Sequence, residues 1–160
     1  MIHIRRAGAG DCSAIADLLN EVIAEGGTTA MTTPVTAEDI RTNMNRDPRG
    51  IWHLAEDDDG TLMGYQFVDQ WDQNEHDIAI IATFARVGRT GLGIGSALFD
   101  ASRKAAVTAG FKMIEAEIRA DNTGGLAYYQ SRGFEDHHRI EGVRLNDGAV
   151  VDKVVKYYQL

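Results

Sequence analysis

The chain has 160 residues, 44% of them hydrophobic and 25% charged, with 17 Gly, 2 Pro, a single Cys and a formal charge of -8. That balance suits one globular domain spanning residues 1–160 and argues against disorder, collagen and coiled coil. The lone Cys12 cannot form an internal disulfide, no apolar run approaches the roughly 18 residues of a membrane span, and the opening MIHIRRAGAGD has no apolar signal segment, so a cytoplasmic location is expected.

Ile2 to Arg6 alternates apolar and polar residues, as a short strand does. Asp11 or Ser13 can cap a helix in which Ile15, Leu18, Leu19 and Val22 share one face, and Gly26-Gly27 stops it. Thr36, followed by Glu38 and Asp39, opens a second helix that Pro48 and Gly50 close. Ile51 to Ala55 and Leu62 to Val68 read as strands joined by the turn Glu56 to Gly60. Asp77 to Val87 is a nearly continuous apolar run, expected to be a central strand buried on both faces. A glycine-rich loop follows, then a helix from about Gly93 to Ala109 and a strand from Met113 to Ile118. Asp121 or Asn122 caps a helix to about Arg132, and Gly133 breaks it. Phe134 to Val143 and Ala149 to Tyr158 form a hairpin around Asn146-Asp147-Gly148. Strand–helix alternation in the middle with hairpins at both ends implies a mixed sheet covered by helices on two faces.

Charge is unevenly placed. Residues 1–80 hold 5 Lys+Arg against 15 Asp+Glu, whereas residues 81–160 hold 11 against 9. A chain with this balance is a poor general binder of nucleic acid, which requires a basic face. A local site for a small polyphosphate fits only the second half. There, Gly88, Gly91, Gly93 and Gly95 crowd into eight residues between a strand and a helix start. Backbone N–H groups and the helix dipole make such a loop an anion cradle, and missing Cβ atoms let phosphate approach closely. The spacing is wrong for a dinucleotide-binding loop, and a P-loop lysine is absent. A tight turn with no ligand stays open on the loop alone.

Asn122 is followed seven residues later by Tyr129 and then by Gly133-Phe134, within NTGGLAYYQSRGF. Together with TGLGIGSALF from Thr90 to Phe99, this resembles the GCN5-related N-acetyltransferase (GNAT) superfamily. Its pyrophosphate loop runs Q/R-x-x-G-x-G/A and its second signature N-x(6)-Y-x(3)-G-F. Thr90 stands where Gln or Arg is usual, and the neighbouring Arg89 offers the charge. NEVIAEGGTTA, from Asn20 to Ala30, resembles the acceptor-side helix and loop of phosphinothricin-type acetyltransferases.

The resemblance implies a GNAT fold, α/β with a mixed, mostly antiparallel sheet of six to seven strands and helices on both faces. It implies acetyl-CoA as co-substrate, no metal, a small-molecule amine as acceptor, and a homodimer for which the Phe134 to Tyr158 hairpin offers an edge. It lays the pantetheine arm along the backbone of Phe84, Ala85 and Val87, in a gap beside the Met113 strand opened by a bulge. An amide near Phe84 or Ala85 polarises the thioester carbonyl. The pyrophosphate falls on Arg89, Thr90, Gly91, Gly93, Ile94, Gly95 and Ser96. Asn122 contacts the pantetheine or its surroundings, and Tyr129 protonates the leaving thiolate. Glu21, Thr28 and Thr29 fall on the acceptor side, which is bounded by residues 20–33 and 68–76. Glu21, Glu75, His76, Asp77, Glu115 and Glu117 are candidates for the base that relieves the ammonium of its proton. Glu117, five residues before Asn122, is singled out. Protein or peptide N-terminal acetylation, and a CoA-binding sensor without turnover, are the alternatives.

The remaining distinctive residues have plainer readings. The five histidines have no ligand spacing with Cys12, which reads as a small buried residue. His137 and His138, adjacent on a strand, should face opposite ways. Glu56 to Asp59 lacks the liganding periodicity of a calcium loop. Tyr128 reads as core or pocket wall, Trp52 as core or dimer face, and Trp71 as exposed.

Overall fold

A computed structural model describes residues 1–70, 77–89 and 93–160. The described residues form strands β1 (His3–Arg6), β2 (Ile51–Glu56), β3 (Leu62–Asp69), β4 (Ile78–Ala85), β5 (Met113–Arg119), β6 (Glu135–Arg144) and β7 (Val150–Gln159). Four α-helices accompany them: α1 (Cys12–Glu25), α2 (Ala37–Asn45), α3 (Ile94–Thr108) and α4 (Thr123–Ser131). The strands make one sheet in the order β1-β2-β3-β4-β5-β7-β6. β4 and β5 are parallel and joined through α3; every other neighbouring pair is antiparallel. The expected mixed α/β fold is therefore present.

Alternation along the strands divides the core. Trp52, Leu54, Tyr65, Phe67 and Phe84 pack under α1 and α2. Ile51, Val68, Ala79, Ile81, Ile114, Ala116 and Ile118 form the opposite face with Phe99 of α3 and Tyr129 of α4. Trp52 belongs to the core, stacked 4.4 Å from Phe67.

The helix ends follow their local chemistry. Thr36 Oγ1 accepts from the Asp39 amide at 3.1 Å while Asp39 Oδ2 accepts from the Thr36 amide at 2.9 Å, a reciprocal cap on α2. Asp11 precedes α1 but its side chain does not cap that helix; its carboxylate takes the Gly8 amide and the Arg5 guanidinium instead. Ser13 lies inside the helix.

Three expectations require correction. β4 is only half-buried at most positions, unlike β2 and β3, because one of its edges runs beside open space. No bulge opens that space: β3 and β4 pair without a register shift, and β4 simply diverges from β5 after Ile80↔Glu115. His137 and His138 do not face opposite ways. A register shift between Asp136 and His138 breaks the alternation and brings their Nδ1 atoms to 2.7 Å, with His137 stacked on Tyr157. Glu75, His76 and Trp71, like Thr90 and Gly91, lie outside the described residues.

Candidate active site

The divergence of β4 and β5 is the origin of the site. Pairing between them stops at Ile80↔Glu115, yet β4 continues to Ala85 against β3 and β5 continues to Arg119 against β7. A cleft of about 620 Å³ opens there, lined by Thr83 and Ala85 of β4, Glu117 and Ile118 of β5, Asn122, and Tyr128 and Tyr129 of α4. Backbone direction along β4 can be read from its partners. The Arg86 amide donates to the Met63 carbonyl, and the Phe84 carbonyl faces Gly64, so Phe84 bonds toward β3. Alternation then turns the polar backbone groups of Ile81, Thr83 and Ala85 into the gap. An extended, amide-bearing ligand meets a strand edge there. Of the two expected thioester amides, that of Ala85 faces the gap and that of Phe84 does not.

At one end of the cleft, Gly93 caps α3 in a left-handed conformation (φ 77°) that a side chain would strain. Gly93 offers no side chain to cap the first-turn amides of α3, and no acidic residue stands in that turn. This leaves a helix N-terminus suited to phosphate. Arg132 Nη1 donates to Ser96 Oγ at 2.9 Å and so brings a guanidinium to the same end. Arg89 is exposed in the preceding turn and does not line the cleft, whereas Val87 and Ile94 do. Gly95 is required for space: a Cβ there would lie 2.6 Å from Tyr128 Cε1. Tyr128 Oη in turn donates to the Gly95 carbonyl at 2.7 Å.

α4 begins at Asn122, whose Oδ1 accepts from the Gly125 amide at 3.0 Å and whose Nδ2 donates to the Thr28 carbonyl at 3.3 Å. One side chain thus caps the helix and ties down the loop after α1. Seven residues on, about two turns, Tyr129 is buried, with its hydroxyl 2.8 Å from Thr83 Oγ1. Burial pushes its phenol well above the usual tyrosine range, and the Thr83 hydrogen bond opposes that rise.

On the acceptor side, Glu117 reaches the cleft and lies 3.8 Å from Lys153 Nζ. Thr28 and Glu25 also line it. Thr29 lies beside it and holds Arg119 Nη1 through its carbonyl at 3.1 Å. Glu21 does not line the cleft; its carboxylate is bound by Arg86 at 2.9 Å, and Arg86 is braced on the Leu62 carbonyl. Asp77 sits at the other end of β4, 3.4 Å from Arg49. Glu115 faces Tyr157, whose phenol is pushed up first by burial and then by that carboxylate. Among the described residues, no group of three or more His, Cys, Asp or Glu is placed to hold a metal ion.

A profile of the acetyltransferase (GNAT) family matches residues 15–134. The chain belongs to this family. It is an acetyltransferase, and acetyl-CoA is its acetyl donor. The phosphinothricin N-acetyltransferase of Streptomyces viridochromogenes is 26% identical over 136 residues, covering 83% of this chain and 74% of the relative. Two solved structures share the fold. One is a phosphinothricin acetyltransferase from Sinorhizobium meliloti in complex with AcCoA (TM-score 0.87, 20% identity, 99% and 88% of the two chains). The other is a ribosomal-protein-alanine N-acetyltransferase from Brucella melitensis (TM-score 0.89, 23% identity, 99% of each chain).

The cleft suits that donor: a strand edge with free amides, and a phosphate-ready helix start beside it. Several of its residues carry no motif. Gln66 and Arg132 become visible only through contacts. A polar residue inside the apolar strand LMGYQFV was the one sequence signal for Gln66, and Arg132 stood directly before Gly133-Phe134.

Proposed function

We propose that the chain, acting as one domain, transfers an acetyl group from acetyl-CoA to a primary amine of a small molecule by direct attack within a ternary complex. The observation that carries this reading is the convergence of a free strand edge, a phosphate-ready helix start and a buried tyrosine hydroxyl on one cleft. Bound there, acetyl-CoA supplies the activated acyl carbon. The outward groups of Thr83 and Ala85 would pair with its amide-bearing arm, and the Ala85 amide would donate to the thioester oxygen as charge develops. The first turn of α3, with Gly93 to Ser96 and Arg132, would take the pyrophosphate.

The acceptor arrives as an ammonium with a pKa near ~10.4, so exposing its lone pair at pH 7 costs about 4.6 kcal/mol. Glu117 would receive that proton, directly or through water. The new N–C bond forms as the C–S bond breaks, and the second proton that the nitrogen sheds on becoming an amide passes to solvent. Tyr129 would deliver its proton to the leaving sulfur and regain one from solvent. Glu25 and Glu117 at the open side favour a cationic or amino-acid-like acceptor, and the Streptomyces relative supports phosphinothricin-type amino acids. The exposed edge strand β6 would serve a homodimer, and the cytoplasm would be the place of action.

The test is CoA release from acetyl-CoA against a panel of small amines, phosphinothricin included, and of peptides with free N-termini. Turnover of a small amine with Tyr129→Phe lowering kcat roughly 10²-fold is expected. Turnover of peptides alone, or of nothing despite acetyl-CoA binding, would overturn the reading.

A further inference from the structure

The hydroxyl of Tyr129 belongs to a buried row of polar side chains that crosses the sheet beneath α3. Gln66 of β3 and Thr83 of β4 are directly paired across their strands, and so share a face. Gln66 is fully buried. Its Nε2 donates to Thr83 Oγ1 at 2.8 Å and to Tyr128 Oη at 3.1 Å. Thr83 Oγ1 lies 2.8 Å from Tyr129 Oη, and Tyr128 Oη donates to the Gly95 carbonyl at 2.7 Å.

Counting protons gives this row a direction. Tyr128 has one proton and gives it to Gly95, so it accepts from Gln66. An amide nitrogen carries two protons and no acceptor, so both of its hydrogen bonds run outward. Thr83 therefore receives a proton from Gln66 and keeps its own to donate. Its acceptor is Tyr129 Oη, 2.8 Å away, because the neighbouring Tyr128 Oη is already supplied by Gln66. That oxygen then holds its proton on the side away from Thr83, toward the cleft.

We propose that Gln66 and Thr83 are positioning residues that form a one-way relay, Gln66 Nε2–H to Thr83 Oγ1–H to Tyr129 Oη–H, which aims the phenolic proton at the leaving sulfur. The inference rests on the role of Tyr129 given above. The relay has two effects. Before the reaction, it prevents Tyr129 from spending its proton on Thr83. After the reaction, Thr83 donates to the phenolate left by proton transfer, and a hydrogen bond to a charged oxygen is worth about twice a neutral one. Thr83 keeps its own proton throughout.

The prediction is read with acetyl-CoA and phosphinothricin, and beside it the panel amine of highest turnover. Thr83→Val keeps the shape and removes the hydroxyl. It should lower kcat about 10- to 100-fold with the acetyl-CoA KM within twofold of wild type, and Thr83→Ser should restore most of the rate. In a Tyr129→Phe background, Thr83→Val should have no further effect. Gln66→Glu is a second, isosteric route. Its carboxylate accepts where the amide donated, reverses the row and draws the Tyr129 proton inward. Its kcat, relative to wild type, should recover as the pH falls and the introduced carboxyl regains a proton to donate.

A Thr83→Val enzyme with wild-type kcat, alongside an impaired Tyr129→Phe enzyme, overturns the relay and leaves the tyrosine role standing. Losses that simply add in the double variant also overturn it. An unimpaired Tyr129→Phe enzyme removes the tyrosine role itself.

Discussion

Gly95→Ala should destabilise the protein, although alanine is the better helix former. Gly95 is the second residue of α3, so propensity alone favours the change by up to about 1 kcal/mol. Against this, the new methyl would lie 2.6 Å from Tyr128 Cε1, closer than real Cβ contacts come, and 3.0 Å from Cζ, tighter than most. The ring cannot simply swing aside, since its hydroxyl is bound to the Gly95 carbonyl at 2.7 Å and receives Gln66 at 3.1 Å. Overpacking of this kind costs about 1–3 kcal/mol, and the strained hydrogen bonds add roughly 1 kcal/mol. The net loss is about 1–3 kcal/mol, or roughly 3–8 °C in Tm for a chain of this size. Urea unfolding and calorimetry of Gly95→Ala read it directly. The same substitution in a Tyr128→Leu background provides the decisive contrast. With the ring gone, alanine should stabilise by about 0.5 kcal/mol. A stabilising Gly95→Ala in the wild-type background, or the same sign in both, would refute the argument from space.

Two further outcomes follow from buried charge. Asp69 is 1% exposed and receives Arg46 Nε at 2.7 Å, so Arg46→Met should cost about 3 kcal/mol in urea unfolding by leaving a buried carboxylate without that cation; a loss under about 1 kcal/mol would contradict this. His53 is held near a pKa of about 4 by burial first and by the nearby Arg6 second. Between pH 6.5 and 4 the unfolded chain takes up a proton at this position that the folded chain refuses, so stability falls as the pH drops through that window, by roughly 3 kcal/mol in full. Above pH 6.5 the histidine contributes nothing of this kind. His53→Leu should flatten Tm against pH over that range, and parallel curves for variant and wild type would remove the explanation.

Much of the fold was legible because local chemistry agreed with it. Thr36 with Asp39 and Asn122 with Gly125 satisfy helix starts within four residues of chain, and Asp147-Gly148 fits the turn it occupies. Gly88 and Gly95 of the glycine-rich stretch line the same cleft as Asn122 and Tyr129. What was not legible depended on distant partners. Tyr128 reads as core or pocket wall and does line the cleft, but its hydroxyl partners Gly95 and Gln66 come from two other elements. The pairing of His137 with His138 follows from a register shift that no alternation rule foresees. Glu21 resembled an acceptor-side residue, but Arg86, 65 positions away, engages its carboxylate.

The divergence of β4 from β5 also has a meaning for what the cleft keeps out. An unpaired strand edge is a template for any other strand, which is why sheet proteins blunt or cover their rims. Here such an edge lies in the middle of the sheet, walled by Val22 and Thr28 on one side and by Tyr128 on the other. Because the gap lies between β4 and β5 inside the sheet, a chain that paired with this edge would have to lie between two existing strands, unlike one added at the rim.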